Sequence, residues 1–316
     1  MESVPTTMVL RSLLDTYGHT LGLKDLSVTS PRVGFSFDEV RPIYDGFSRT
    51  VQTGEFDLSE LATASYLQAH AFGTQWMLLP VGLLSRFHHA SIVHNVDRGL
   101  RSPADLAGHR VGVRCYTQTT VVWVRGILMA EYGLDPDQVL WVTLEDGHVP
   151  QYQEPPNVVR AEPGATLDDM LLDGRVDAAI VGRLRPRDPR VVDLVPDAER
   201  AELDWYQRTG VLPINHMLVL RRSLADEHPW LVSELYRLLA DCRTRYLDGL
   251  SNGGPLSRDD VFRAGLLARG IDPVPLGTAA VRPAVEMMLE FCVRQRLLPR
   301  ALTFDELFDV PTAALV

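Results

Sequence analysis

Cysteine is scarce in this chain, with three residues in 316, and Cys115, Cys242 and Cys292 stand far apart without a C-x-x-C pair. An odd number so dispersed indicates neither a disulfide framework nor a zinc site. Long apolar runs are missing too. The best stretch, near Met77 to Leu84, falls well short of the roughly 20 residues that cross a bilayer, so no membrane partner is expected. Met1 to Leu26 shows no basic segment followed by an apolar run and a small-residue cleavage site, and a cytoplasmic location is the expectation. Single-sign tails, internal repeats and low-complexity segments are absent. So are a P-loop, a G-x-G-x-x-G after a strand, a G-x-S-x-G and an H-E-x-x-H, and no metal or organic cofactor is expected.

What the chain has is a hydrophobic content of 46% and a net charge of −10. The apolar content suffices for two modest cores, and at this length two lobes are the better expectation. The negative balance advertises no phosphate-neutralising surface, so nucleic acid is not an expected partner.

Strand and helix signals alternate. Met8 to Leu14 and Arg32 to Phe37 read as strands, and Asp38 to Thr53 as a helix stopped by Gly54. Phe56 to Leu61, Trp76 to Val81 and Ser91 to His94 are further short strands. A second unit opens with the helix-start signature Ser102-Pro103-Ala104-Asp105 and the strand around Val111-Gly112-Val113. A polar turn leads into a helix over Val121 to Tyr132 that ends at Gly133. Val139 to Thr143 and Val176 to Val181 read as strands, and Leu167 to Asp173 as a short helix. Asn215 to Leu220 is a strand, followed by the long amphipathic helix Pro229 to Tyr246. The expected architecture is α/β with mixed sheets, residues 1–95 and 215–316 forming one discontinuous lobe around an inserted lobe, 96–214.

Three constellations carry candidate chemistry. Thr119 and Thr120 open a helix whose unpaired amides could hold a carboxylate, although ordinary capping is the commoner use and pattern alone favours it. Arg86, His88 and His89, with Arg183 after Val176 to Val181, adjoin strand ends, where open α/β sheets bind ligands. Arginine forks suit carboxylates and histidine can supply a proton near neutral pH. A third group runs from Tyr206-Gln207-Arg208-Thr209-Gly210 to His216, which reads equally as a hydrogen-bonded core histidine. The acidic pairs Asp168-Asp169 and Glu145-Asp146 read as solvated.

Several segments, taken in order, resemble the 4,5-dihydroxyphthalate decarboxylase family. They are Tyr17-Gly18-His19-Thr20, Gly54 to Leu61 with Ser65-Tyr66, Ser85-Arg86 with His89, and Arg110 to Val113 through Tyr116, Thr119, Trp123 and Arg125-Gly126-Ile127-Leu128. Downstream come Asp177-Ala178 with Arg183, Arg208-Thr209-Gly210 with Pro213-Ile214 and His216, and His228-Pro229-Trp230. The departures are His88 for a usual arginine, a segment one residue shorter after Arg86, and Gln118 and Thr120 for apolar or small residues.

The resemblance implies a two-lobed fold of the type II periplasmic-binding-protein kind with an interlobe cleft. It also implies a cofactor-independent carboxy-lyase acting on a hydroxylated aromatic acid similar to 4,5-dihydroxyphthalate. His89 or His216 is then the proton donor, because arginine cannot release a proton at the working pH. Arg86, Arg125 and Arg183 orient carboxylates, Thr119 and the adjacent helix amides hold a second one if the substrate has it, and Ser65, Tyr116 or His19 contact phenols, with Thr20, Thr120 and Thr209 as further substrate-binding residues. The alternatives are an intracellular solute-binding or sensory protein for an aromatic carboxylate, and another lyase or dehydratase on the same fold. The partner is a small aromatic carboxylate, and a homo-oligomer is left open.

Overall fold

The structure, a computed structural model, describes residues 7–182, 185–253, 257–308, 312 and 315. Its strands are β1 (Met8–Leu13), β2 (Val33–Phe37), β3 (Leu58–Ala62), β4 (Trp76–Ser85), β5 (Ile92–Asn95), β6 (Arg110–Val113), β7 (Leu140–Thr143), β8 (Val158–Arg160), β9 (Ala178–Ile180), β10 (Val191–Asp193) and β11 (Ile214–Arg221). Among the described residues no helix is long and apolar enough to cross a membrane.

The chain divides into two compact units. The first falls within Met1–Arg86, Ile214–Glu286 and Leu302–Val316, and the second within Phe87–Pro213 and Met287–Ala301. This differs from the sequence expectation at two places, each for a reason of pairing. The sequence puts residues 92–95 in the first lobe, but β5 is bonded antiparallel to β9 and to β10, both from the middle segment. It also puts all of 215–316 there, whereas Gln295 bonds Arg125 and the Val122 carbonyl, and Phe291 packs edge-on against Trp123 at 5.7 Å. The boundary therefore falls inside the helix Thr278–Arg294.

The first unit is a five-stranded sheet ordered β2-β1-β3-β11-β4. β1 runs parallel to β2 and β3, while β11 runs antiparallel to β3 and to β4, which makes β4 parallel to β3. The C-terminal ends of β1, β3 and β4 and the start of β11 consequently share one edge of the sheet. The helix Trp230–Ser251 covers one face, with Leu231, Leu235, Leu238, Leu239 and Cys242 buried against Leu218, Leu220, Met77 and Leu79. That spacing of three and four residues is the apolar stripe of an amphipathic helix, and each buried leucine contributes about 1.5–3 kcal/mol.

Residues 38–53 do not form the continuous helix that the apolar spacing predicts. A short 3-10 turn, Ile43–Gly46, and a π turn, Arg49–Thr53, replace it. Pro42 lacks a backbone donor and disfavours helical geometry in the residue before it, which works against a continuous helix begun at Asp38.

The second unit holds a six-stranded sheet ordered β10-β5-β9-β6-β7-β8. β6, β7, β8 and β9 are mutually parallel where they pair, and the inner strands are buried, which is why Val111 to Val113 and Ala178 to Ile180 read as apolar runs without alternation. The helix Thr119–Tyr132 ends at Gly133 in the left-handed conformation, φ 65°.

Gly126 sits in the middle of that helix, where glycine costs about 0.5–1 kcal/mol relative to alanine. Its retention has a steric cause, since a Cβ there would collide with the Phe291 ring, itself held against Trp123. Gly126→Ala should therefore destabilise the protein by about 1–3 kcal/mol despite its better helix propensity. A fall in the urea midpoint checks this; an unchanged or higher midpoint would mean that the 287–301 segment does not pack on this helix.

Candidate functional site

In the first unit the shared sheet edge gathers polar residues around one carboxylate. Glu60, on β3, is fully buried. Its cross-strand partner on β11 is Leu218, and His216 lies two residues further along the same face, opposite Ala62. This diagonal placement lets the two side chains meet. His216 Nδ1 stands 2.6 Å from Glu60 Oε1. The Tyr17 hydroxyl donates to the same oxygen at 2.6 Å, and the Asp15 amide donates to Oε2 at 3.0 Å. Toward an ionised Glu60 the tautomer that bonds is the one with its hydrogen on Nδ1, which presents Nε2 as the nitrogen for proton exchange. The Phe47 ring meets His216 edge-on at 5.1 Å, and 13% of the histidine side chain is exposed, against none of Glu60.

The turn after β1 supplies the other side of this cluster. His19 stacks on Tyr17 at 5.2 Å with planes 3° apart, and the Tyr246 ring lies 5.7 Å from His19. Gly18 permits that approach, because a Cβ there would collide with the Tyr246 ring. The Arg263 guanidinium is 5.7 Å from the Tyr17 ring, and Tyr246 donates its hydroxyl to Asp260. Burial beside Glu60 pushes the Tyr17 phenol well above its ordinary value, so it remains a donor. Burial, reinforced by Arg263, pushes His19 down to about 3, which keeps this ring neutral. Thr20 is committed to the turn itself, accepting from the Tyr17 amide at 2.9 Å and donating to the Asp15 carbonyl at 2.8 Å. Ser65 is buried in the helix Thr63–Ala71 that follows β3, and Arg86, half-buried, directly follows β4.

The second unit uses its candidates mostly for structure. His89 lies in the interior, its Nε2 3.1 Å from Glu131, which also accepts from Arg208, and its ring 5.9 Å from Trp205. Arg125 is wholly buried: Nε donates to Gln295 at 2.8 Å, Nη2 to the Tyr116 carbonyl at 2.9 Å, and the guanidinium lies 3.7 Å from the Tyr116 ring. Both thus make structural contacts, while Arg125 Nη1 and His89 Nδ1 are buried without a hydrogen-bond partner among the described residues; the sequence reading made Arg125 a carboxylate contact and His89 a candidate proton donor. Thr209 closes the helix Ala198–Thr209, donating to Trp205 and accepting from the Val211 amide. Thr119 and Thr120 are buried in the first turn of their helix, whose cap position is Gln118. Arg183 lies outside the described residues.

The three cysteines are free and buried, and burial pushes Cys242 up to about 11 and Cys292 up to about 12, which leaves them poor nucleophiles at neutral pH. Among the described residues no three His, Cys, Asp or Glu side chains are grouped as a metal-binding set.

The family of ABC-transporter phosphonate periplasmic substrate-binding proteins matches residues 38–232. In structure the chain is similar to the alkanesulfonate-binding protein SsuA of Xanthomonas axonopodis, with a TM-score of 0.53 and 16% identity over 95% of this chain and 96% of that one. It is also similar to a Candida albicans gene product with the generic periplasmic binding protein fold, at TM-score 0.55 and 10% identity over 95% of this chain and 92% of that one. These likenesses establish the periplasmic-binding-protein fold. A 4,5-dihydroxyphthalate decarboxylase of Comamonas testosteroni is 32% identical over 249 residues, 69% of this chain and 75% of that protein. The chain belongs to the 4,5-dihydroxyphthalate decarboxylase family, on a substrate-binding-protein scaffold. A second protein of that name, from Pseudomonas putida, is 34% identical over 189 residues, 54% of this chain and 73% of that protein.

This is a family of carboxy-lyases, and the segments that carry the likeness contain two residues not singled out from sequence. Glu60 lies in Gly54 to Leu61, and Tyr17 opens Tyr17-Gly18-His19-Thr20. All residues of β3 are buried, a place that charge enters only when paired, and that burial is seen in the fold and not in the sequence.

The depressed His19 value has a consequence for stability. In the unfolded chain a histidine titrates near 6.5, so between about pH 3 and 6.5 the unfolded state binds a proton that the folded state refuses. This contribution is complete above about pH 6.5 and is lost as pH falls toward 3, with a slope of up to about 1.4 kcal/mol per unit. His19→Leu should flatten the decline in urea stability between pH 6.5 and 4.5 relative to the wild type. Parallel declines would show that His19 takes up its proton without unfolding.

Proposed function

We propose that this chain decarboxylates a hydroxylated aromatic carboxylic acid of the 4,5-dihydroxyphthalate kind, with His216 delivering the proton. The observation that carries this reading is the fully buried Glu60, which holds His216 by Nδ1 at 2.6 Å and leaves Nε2 for proton transfer. A fixed carboxylate stabilises the imidazolium and sets its orientation, as the carboxylate behind a catalytic histidine does elsewhere.

The chemistry follows from the substrate class. A hydroxyl para to a carboxylate-bearing ring carbon pushes electron density onto that carbon. The Nε2–H of protonated His216 gives its proton there, and a C–H bond forms. The C–C bond to the carboxylate then breaks, its electron pair restoring the aromatic ring as carbon dioxide leaves. His216, now neutral, takes its next proton from solvent. One proton is exchanged for one carbon dioxide with no net electron transfer, so the balance demands no redox partner. Arg86, at the same sheet edge, is the carboxylate binder in this reading, because its planar fork matches two oxygens. Family membership in a carboxy-lyase lineage supports the reaction class. The fold alone favours a second reading, a binding protein that captures the acid unchanged.

Incubation with 4,5-dihydroxyphthalate and related hydroxyaryl acids separates the two. The wild type should release carbon dioxide and retain turnover after exhaustive chelation. His216→Gln should lower single-turnover release by about 10²–10⁴-fold with calorimetric affinity largely kept. His89→Gln, by contrast, should lower stability more than turnover, because His89 is an interior partner of Glu131. Binding without any carbon dioxide release would overturn the decarboxylase reading, and undiminished release by His216→Gln would remove this residue as the donor.

A further inference from the structure

We propose that Tyr17 is a positioning residue that sets how tightly the Glu60–His216 pair holds its proton. This rests on the reading of His216 as proton donor, but the coupling itself is a property of the resting protein.

Glu60 Oε1 is shared. The Tyr17 hydroxyl and His216 Nδ1 both lie 2.6 Å from that one oxygen, while Oε2 is taken by the Asp15 amide. A hydrogen bond from a neutral donor spreads the carboxylate charge over the phenol and weakens its hold on the second donor. The two donors therefore compete for one acceptor in a desolvated site, where such competition is strongest. Tyr17 is fixed for this purpose from outside the pair. His19 stacks on its ring, Gly18 lets Tyr246 pack behind, and the Tyr17 amide is tied to Thr20.

The charged and titratable groups around this network lie on several elements, among them Arg243 on the helix Trp230–Ser251, whose charge acts on His19, and Arg86 at the end of β4. Asp15 precedes Tyr17 in the turn, and Lys24, on the following helix, donates to the Leu14 carbonyl and to Thr16 at 2.6 and 2.9 Å. His19 and Arg263 flank the Tyr17 ring, and Tyr246 with Asp260 lies beyond. Removing the Tyr17 hydroxyl leaves all of these in place, along with the ring that His19 stacks on. Glu60 Oε1 is then left to His216 alone. The pair must bind its proton more tightly, and it titrates as a unit. Tyr17 thus keeps the imidazolium acidic enough to give up its proton to a ring carbon.

The test is the titration of His216 by NMR in Tyr17→Phe and in protein with 3-fluorotyrosine at position 17, whose hydroxyl is a stronger donor. Circular dichroism confirms folding, and no turnover is needed. The apparent pKa should rise in Tyr17→Phe by up to about one unit, the ceiling being the whole worth of one hydrogen bond to a charged group. It should fall below the wild type with 3-fluorotyrosine, a measurement that stands even if Tyr17→Phe does not fold. A titration that moves in neither protein, or moves the same way in both, overturns the inference. Absence of carbon dioxide release with these opposite shifts intact would sink the decarboxylase reading and leave the coupling standing.

Discussion

A carboxylate with no solvent contact cannot remain charged unless its oxygens are filled by donors, and in this protein that demand falls on Glu60. Meeting it ties together three stretches of chain that are far apart in sequence. The turn after β1 supplies the Asp15 amide and the Tyr17 hydroxyl, β3 supplies the carboxylate, and β11 brings His216 back antiparallel beside it. The return of β11 into the first sheet, between β3 and β4, is what makes the first unit discontinuous in sequence and what delivers the histidine. Fold and candidate chemistry thus share one constraint.

The second unit solves a different problem with similar residues. Arg125 and His89 are buried charges or potential charges, and each is surrounded by partners from its own unit: Gln295 and the Tyr116 carbonyl for one, Glu131 for the other. A buried arginine that bonds Gln295 fastens residues 287–301 to the helix Thr119–Tyr132, and its Nη1 is buried without a hydrogen-bond partner among the described residues. The difference between His216 and His89 is that one keeps part of its ring exposed while the other is enclosed behind Trp205.

Much of the architecture was legible from apolar spacing. Strands near Met8, Val33, Trp76, Val111 and Asn215 and the long helix after Pro229 stand within a few residues of where periodicity puts them. Periodicity carries no information about pairing partners, and so β5 and the 287–301 segment were assigned to the wrong unit. It also overrates a segment such as 38–53, where one proline outweighs the helical spacing around it. At the site, His216 and the turn around His19 were visible because their residue types suggest proton transfer and turn geometry. Glu60 was not, because a glutamate beside Ser59 in a short strand looks like a solvated outward position, and its burial is visible only in the fold. The hydroxyls of Thr20 and Thr209 close local turns, which the residue types alone do not reveal.

The account turns on Glu60 acting through His216, and Glu60→Gln probes it most directly, since the amide keeps the shape while losing the charge. The measurement is single-turnover carbon dioxide release from 4,5-dihydroxyphthalate, with the variant saturated and its ligand affinity determined separately. A loss of about 10²-fold or more in rate with affinity within tenfold of the wild type is the expected result. An unchanged rate in a folded Glu60→Gln protein would contradict the account, because the proton would then come from a group that this carboxylate does not hold.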